Sequence, residues 1–306
     1  MSLDTRDRFG FTYPHQDRLT GDTCDFHSHT TASDGRSSPE TAIRNAAERH
    51  LRALAISDHD GVASIDFCTA LGLELGVEVI PALEVTTFYK GVETHILGHL
   101  IDHRSPALVP LMTRQETNRK GALLGMLKKL TAMGHPLDFE DVVANMPDPT
   151  STFFGRPHSA GAMKAKGYIT EMGEAFTGEF IGNTGTAYVQ VSDVTVPEAI
   201  AAIHAAGGVA VCAHPGSWAP DDSLDLELDD LKQFKEWGLD GVEVLHIRHS
   251  EAQRAKYWDI HQALDLFPTA GADCHGTYYN PIKMGSVRAP YAWLEGMKEY
   301  RESRPR

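Results

Sequence analysis

Three features are scarce or missing in this sequence, and each absence argues against a class of protein. No apolar stretch approaches the length of about 20 residues that a membrane-spanning helix needs, so we expect no membrane partner. Only four cysteines occur in 306 residues and none lies close to another, which argues against a small disulfide-stapled domain. Basic residues are also few, because 28 Lys and Arg face 42 Asp and Glu. The net charge of −14 disfavours broad, non-specific binding to nucleic acid, which requires a basic surface.

The remaining composition is that of a globular protein with one large domain or two ordinary ones, since 42% of the residues are hydrophobic. Residues 1–21 are polar and lack the apolar core of a signal peptide, so we expect a cytoplasmic protein with reduced, buried cysteines. The acidic balance is compatible with a small phosphorylated ligand, because bound metal ions neutralise carboxylates locally.

The most informative residues are histidines and carboxylates that recur along the whole chain. Neutral imidazole combined with carboxylate holds zinc, manganese or iron and leaves positions open for water and substrate. A protein with many such groups near strand ends is suited to metal-assisted hydrolysis. The candidate metal ligands are His27, His29, Asp34, His59, Glu84, His95, His214, Asp273 and His275.

Two of these ligand pairs have the spacing of neighbours on one face of a strand. Cys24–Thr30 has a strand pattern, and alternate strand residues point to the same side, so His27 and His29 can reach one metal ion. The same argument applies to Asp273 and His275. A surface histidine cluster is the alternative, and it is disfavoured because each pair follows a short apolar run.

Strand and helix patterns alternate in two parts of the chain and are interrupted between them. A strand pattern at Ala53–Ser57 follows a helix for which Ser38 is the predicted N-cap and Pro39 the first residue. From about residue 104 to 191 the pattern is helical, and the alternation then resumes. We predict a first barrel segment at 22–103, a helical insertion at 104–191 and a second barrel segment at 192–295.

Seven short motifs follow one another in the order of a known family. The chain resembles the polymerase and histidinol phosphatase (PHP) superfamily of metal phosphoesterases, over residues 22 to about 290. Within it the chain is similar to stand-alone enzymes that act on nucleoside 3',5'-bisphosphates and short RNA ends. The motifs are Asp25-Phe26-His27-Ser28-His29-Thr30, Ser33-Asp34-Gly35, Ser57-Asp58-His59-Asp60, Pro81-Ala82-Leu83-Glu84-Val85, His95-Ile96-Leu97-Gly98, Ala213-His214-Pro215 and Ala272-Asp273-Cys274-His275.

This resemblance implies an α/β fold, a distorted seven-stranded (β/α) barrel capped by the helical insertion. It also implies two to three divalent ions, which would be manganese, iron or zinc, and a metal-bound hydroxide as the nucleophile. The implied ligand sets are His27, His29, Glu84 and Asp273 for the first ion, Glu84, His95 and His214 for the second, and Asp34, His59 and His275 for the third.

Cationic groups outside the metal ligands are the candidate substrate-binding residues. Arg156 and His158 open a predicted helix, where backbone N–H groups favour anions and the guanidinium can bind phosphate through two hydrogen bonds. The alternative is an ordinary helix start with a solvated arginine. Arg248 and His249 are further candidates. Asp60 is a candidate catalytic group that could protonate the leaving group, as are His158 and His249.

Together with these residues, the resemblance implies a phosphoric ester hydrolase that removes the 3'-phosphate of nucleoside 3',5'-bisphosphates or acts on short RNA 5' ends. The expected partner is a phosphorylated small molecule, an AMP-like nucleotide or a short oligonucleotide. Histidinol-phosphate phosphatase and a non-enzymatic PHP module are the alternatives. Amide hydrolysis at a binuclear site and a zinc–thiolate site are less favoured, the latter because Cys24, Cys212 and Cys274 have the wrong strand phase.

Overall fold

The computed structural model describes residues 7–216, 225–276 and 284–304. Its strands form one sheet in the order β7-β6-β5-β4-β3-β2-β1-β8. The edge strands β7 and β8 lie near each other, and the sheet forms a nearly closed barrel. The strands are β1 Thr23–Asp25, β2 Ala53–Ile56, β3 Glu78–Tyr89, β4 Val92–His99, β5 Val209–Cys212, β6 Gly241–His246, β7 Phe267–Gly271 and β8 Ala289–Pro290.

Seven strands of this barrel correspond to the expected ones, and the eighth is an addition. Strand β8 has two residues and pairs antiparallel with β1. Beyond β1 the chain stays extended enough to contact the other end of the sheet, because Phe26 N–H donates to Ala270 O at 3.0 Å and Ser28 forms a parallel bridge with Cys274. The predicted strand Cys24–Thr30 is therefore shorter as a regular strand, and its remainder helps to close the barrel.

One departure from strict strand–helix alternation lies between β3 and β4. These strands are antiparallel and are joined by Lys90 and Gly91, both of which have left-handed backbone (φ +50° and +78°). Two left-handed residues form the hairpin turn that suits the twist of paired strands. Strand β4 is also antiparallel to β5, whereas β1–β2–β3 and β5–β6–β7 are parallel. The repeated strand–helix prediction was wrong at this hairpin.

Helices cover the outside of the barrel and fill the segment between β4 and β5. Helix α1 begins as predicted, because Ser38 Oγ accepts from Thr41 N–H and Pro39 opens the first turn, where no backbone N–H donor is needed. The helices are α1 Pro39–Glu48, α2 Ile65–Leu75, α3 Val109–Ala132, α4 Phe139–Ala144, α5 Arg156–Ala165, α6 Val196–Ala205, α7 Leu228–Glu236, α8 Glu251–Leu264 and α9 Tyr291–Ser303, with 3-10 turns at Pro106–Leu108 and Met172–Phe176.

The segment from 104 to 191 has an apolar core of its own. Leu123, Leu130 and Met163 are buried in a cluster made of residues 122–191, separate from the barrel core. The structure describes this stretch throughout and assigns no strand in it. The division at residues 103 and 191 stays a prediction.

The state of the cysteines agrees with the expectation of reduced, buried thiols. All four cysteines are buried and free, and burial raises the pKa of Cys212, as expected for inert packing thiols. Among the described residues, the groups that could hold a metal ion contain histidine, aspartate and glutamate and no cysteine. No described helix combines the length and the hydropathy of a membrane span.

Candidate metal centre

The candidate ligands converge at one end of the barrel. His59 and His214 follow the parallel strands β2 and β5, whose carboxyl ends meet at this edge. His95 lies in the first half of β4, and it reaches the same edge because β4 runs in the opposite direction. Asp273 follows β7. Both His214 and Asp273 have left-handed backbone (φ +26° and +48°), a conformation that non-glycine residues adopt at some cost and that clusters at functional sites.

Glu84, on β3, is the central side chain of the cluster and is completely buried. Its Oε1 lies 2.9 Å from His95 Nδ1 and 3.0 Å from His214 Nε2. Its Oε2 lies 3.0 Å from His27 Nε2 and 3.1 Å from His29 Nε2. The two oxygens of one carboxylate therefore face two different sets of imidazoles, which is the arrangement that a bridging ligand requires.

The first group that could hold an ion contains His27, His29, Glu84 and Asp273. The Nε2 atoms of His27 and His29 are 3.1 Å apart, and Asp273 Oδ1 lies 3.2 Å from His29 Nε2. Ligand atoms bound at about 2.1 Å to one ion lie roughly 3.0–3.4 Å from each other. The lone-pair atoms of this group therefore have the separation that one shared cation produces, and the residues fit a metal.

Two further groups share residues with the first. One contains His29, Asp34, His59 and His275, with Asp34 Oδ1 3.2 Å from His275 Nε2. The other contains His59, Glu84 and His95. All nine candidate ligands thus lie in one cluster. His29, His59 and Glu84 each occur in two groups, and His214, which lies 3.0 Å from Glu84, is in none of them, so the expected distribution of ligands over three ions stays a prediction.

The electrostatics of the cluster favour an added positive charge. Burial would lower the pKa of His29, yet hydrogen bonds to Asp273 and Glu84 raise it to about 10. Burial likewise opposes the Coulomb attraction of Glu84 for His95, whose pKa rises to about 9. The carboxylates therefore draw protons onto these imidazoles, and a divalent cation would meet the same demand. Burial lowers the pKa of His214 to about 4, which keeps that ring in the neutral form that ligation needs.

Two buried residues of the cluster were missed in the sequence, Glu243 and His246, both on β6. Glu243 Oε1 lies 3.3 Å from His27 Nδ1, and its Oε2 accepts the His214 N–H at 2.8 Å. His246 Nε2 lies 3.4 Å from Asp273 Oδ2. A usable signal was present, because a carboxylate in the otherwise apolar stretch Gly241–Leu245 is costly to bury without a partner.

Glu243 has the position of a carboxylate that orients a metal-bound imidazole. Glu243 contacts Nδ1 of His27, and the other ring nitrogen of His27, Nε2, faces Glu84. The packing here is tight: a Cβ at Gly271 would collide with His27 and with the Glu243 carboxylate, so only glycine fits between them.

We expect Glu243→Gln to weaken manganese binding by about 10–100-fold, because the neutral amide orients His27 less strongly and makes it less basic. Isothermal titration of the metal-stripped protein with Mn²⁺ measures the change. Glu236→Gln, which removes the same charge from an exposed position on α7, is the control. Equal affinity in Glu243→Gln and the wild type would show that Glu243 serves packing alone.

The predicted substrate residue Arg156 lies beside the cluster, on the first turn of α5. Its Nη2 donates to Glu93 Oε2 at 3.2 Å, and Glu93 Oε1 lies 3.1 Å from His95 Nε2. Its Nη1 donates to Asn183 Oδ1 at 2.5 Å. One buried carboxylate therefore separates the guanidinium from a candidate metal ligand. Glu93 and Asn183 were not foreseen as its partners.

His158, on the same helix, is 1% exposed and lies close enough to Asp34 to interact with it electrostatically. Its Nδ1 accepts the Gly155 N–H at 3.3 Å, so the neutral ring carries its proton on Nε2. Nε2 is buried and has no hydrogen-bond partner among the described residues. Burial lowers the pKa of His158 to about 4, so the ring is a neutral donor near pH 7.

The remaining predicted substrate-binding residues are Arg248 and His249, on the segment after β6. The side chain of Arg248 is exposed, and its backbone N–H donates to His246 Nδ1 at 3.2 Å. His249 is buried between Val244 O, 3.1 Å from its Nδ1, and the Gly216 N–H, which its Nε2 accepts at 3.3 Å. These contacts make His249 a support for the loop after β5.

Asp60, the predicted catalytic group, contacts helix α3. Its Oδ1 accepts from Gln115 Nε2 at 2.9 Å and from the Thr86 N–H at 2.8 Å, and its Oδ2 pairs with Arg119 at 2.6 Å. These contacts support a structural role next to His59, and a catalytic role for Asp60 stays a prediction.

Comparison with known proteins adds three findings. Residues 25–128 match the PHP domain family. The chain is 32% identical to a 5'-3' exoribonuclease of Haemophilus influenzae, over 82% of this chain and 89% of that protein. It is 27% identical to a 3',5'-nucleoside bisphosphate phosphatase of Chromobacterium violaceum, over 82% and 86% of the two chains.

A solved structure extends the similarity to the fold. A candidate metal-dependent phosphoesterase from Bifidobacterium adolescentis superposes with a TM-score of 0.82 at 28% identity, covering 91% of this chain and 96% of that one. The agreement spans both barrel segments and the helices between them.

Proposed function

Because this chain belongs to the PHP domain family of metal-dependent phosphoesterases, we propose that it removes the 3'-phosphate from nucleoside 3',5'-bisphosphates. The observation that carries the proposal is the position of Arg156, one carboxylate away from the candidate ligand His95. A cation at this place suits a substrate with a second phosphate next to the one that is hydrolysed. A relative with that named activity, from C. violaceum, supports the same substrate class.

The nine clustered residues would hold two to three divalent ions of manganese, iron or zinc. Such ions lower the pKa of a bound water and offset the negative charge of the phosphoryl group. Glu84 would contribute one oxygen to each of two ligand sets, and Glu243 would orient His27. Because these side chains are buried, they are shielded from bulk water and the electrostatic interactions among them are strengthened.

Arg156 and His158 would bind the substrate from the side of α5. Asn183 and Glu93 already orient the guanidinium, so little side-chain entropy is lost when a phosphate binds it. The His158 Nε2–H could donate to a phosphoryl oxygen or to the leaving oxygen. Residues 104–191 would then act as a cap on the barrel segments 22–103 and 192–295, with Arg156 and His158 as its contribution to the site.

Substrate preference tests this function. With Mn²⁺ present, we expect phosphate release from adenosine 3',5'-bisphosphate to exceed that from 3'-AMP by about tenfold or more in kcat/KM. Binding energy from the remote 5'-phosphate, about 1.5–3 kcal/mol for a hydrogen bond to a charged group, should assist the chemical step. The measurement is phosphate release at equal substrate concentrations, and chelator-treated protein is the control.

Other outcomes of the same assay identify the alternatives. Equal rates on the two nucleotides would remove the argument for a second phosphate. Faster hydrolysis of histidinol phosphate would favour the histidinol-phosphate phosphatase alternative. A 5'-phosphorylated dinucleotide cleaved faster than the bisphosphate would favour the short-RNA activity, which the H. influenzae relative supports. Cation binding without hydrolysis of any of these would indicate a non-enzymatic module.

A further inference from the structure

Arg119, in the middle of α3, is a buried cation that the proposed chemistry does not use. It is 5% exposed and comes from the helical segment 104–191, whereas its hydrogen-bond partners Asp60 and Thr86 belong to the barrel. Its Nε donates to Asp60 Oδ2 at 2.7 Å, and its Nη2 donates to Thr86 Oγ1 at 2.6 Å. A buried ion pair of this kind is costly to desolvate, so its position next to a candidate metal ligand needs a reason.

One chain of contacts runs from Arg119 through the backbone to His59. Asp60 directly follows His59 and has left-handed backbone, with φ +52°. An aspartate in this conformation is held there by its surroundings, and the Asp60 carboxylate is bound by Arg119 and Gln115 of α3. Two side chains of α3 therefore support the turn that presents His59 to the cluster, in addition to the backbone hydrogen bonds that join this turn to β3.

A second chain of contacts reaches the ring of His59. The Arg119 guanidinium carbon lies 4.2 Å from the centre of the Phe153 ring, which is cation–π contact. Phe153 in turn stacks on the His59 imidazole, with ring centres 5.9 Å apart and planes inclined by 10°. The ring of His59 is thus supported by Phe153, and Phe153 by Arg119.

From these two contact chains we infer that Arg119 is a positioning residue for His59, so that helix α3 and Phe153 complete the barrel's metal centre at the His59 end. The inference rests on the proposed metal centre. His59 Nδ1 lies 3.3 Å from Glu84 Oε2, and His59 Nε2 lies 4.0 Å from Asp34 Oδ1. A small displacement of the ring therefore weakens the groups that contain His59, and leaves in place the group of His27, His29, Glu84 and Asp273, which does not contain it.

Two variants test the inference at different points. Arg119→Lys keeps the charge and the pairing with Asp60, but it loses the planar group that makes two contacts with Asp60 and stacks on Phe153. Phe153→Leu removes the ring between Arg119 and His59 without leaving a buried charge unpaired. Arg114→Lys is the matched control, because Arg114 lies on the same helix and forms exposed ion pairs with Asp193 and Glu198.

The readout is stepwise Mn²⁺ binding by isothermal titration, combined with metal content after dialysis. In Arg119→Lys and Phe153→Leu we expect Mn²⁺ binding at the sites that contain His59 to weaken by at least tenfold and the site of His27, His29, Glu84 and Asp273 to keep wild-type affinity. Arg114→Lys should bind as the wild type does. Phosphatase activity of the two variants should recover at higher Mn²⁺, with KM for the substrate nearly unchanged.

Three results would overturn the inference. Wild-type affinity at every site in both variants would show that His59 does not depend on Arg119. Equal weakening of all sites would assign Arg119 to general stability. A wild-type protein that binds no divalent cation would refute the metal centre itself. The titration does not depend on the substrate, so a wrong nucleotide assignment leaves these outcomes unchanged.

Discussion

Glu84→Gln is expected to remove more than one equivalent of divalent cation and to lower kcat by about a thousandfold or more, which corresponds to roughly 4 kcal/mol of transition-state stabilisation. The two oxygens of Glu84 face different ligand sets, with Oε1 next to His95 and Oε2 next to His27. An amide offers one acceptor and one donor group, so it cannot serve both sets.

The measurement is metal content by elemental analysis after dialysis against limiting Mn²⁺, with kcat measured at saturating Mn²⁺. Glu74→Gln is the control, because it removes the same charge at an exposed position of α2. Loss of only one equivalent would show that Glu84 does not bridge. Retention of all equivalents would exclude it as a ligand.

Arg156→Ala is expected to weaken use of the bisphosphate by about 1.5–3 kcal/mol, or roughly 10–150-fold in kcat/KM, mainly through KM. The loss should be much smaller for 3'-AMP, which lacks the second phosphate. This comparison within one variant matters because the substitution also leaves Glu93 without its 3.2 Å partner, beside His95. A loss of activity caused by the unpaired Glu93 affects both substrates, whereas a loss of binding to the second phosphate affects only the bisphosphate.

Lys164→Ala is the control for Arg156→Ala, because Lys164 is also a cation of α5 but its side chain is largely exposed and pairs with Glu171. The result that contradicts the prediction is an equal loss on both nucleotides, which would assign Arg156 to the support of Glu93. Unchanged kinetics would make Arg156 an ordinary helix-start residue.

The family that the ordered motifs resemble implied the fold class, and the position of the histidines and carboxylates at strand ends predicted that they cluster. His27, Glu84 and Asp273 are separated by many residues, yet each lies within or just after an apolar strand pattern. Side chains at the carboxyl ends of neighbouring strands meet at one edge, so their convergence follows from the pattern. The start of α1 was also predictable, because capping by Ser38 depends on residues within one turn.

The local detail was less predictable. The strand pattern at 24–30 predicted that His27 and His29 lie together, and they do. The reason differs from simple strand alternation, because regular pairing ends at Asp25 and the following residues bridge to the loop after β7. The hairpin at Lys90 and Gly91 has a sequence signal, since a Gly in a two-residue turn permits left-handed backbone. The strand–helix alternation of the neighbouring segments nevertheless predicts a further strand–helix unit at this place.

The sequence by itself determined which residue types can form a metal centre, in which order they follow the strands, and to which family the motifs belong. Tertiary structure alone decided which partners these residues have. Glu243 on β6 contacts His27, which is distant in sequence, and Arg156 contacts Glu93. Arg119 of α3 supports His59 through Asp60 and Phe153. Periodicity and capping arise from neighbours within a few residues, and therefore can be read locally. The pairing of a buried charge depends on which distant chain segment packs against it, and only the folded backbone specifies that contact.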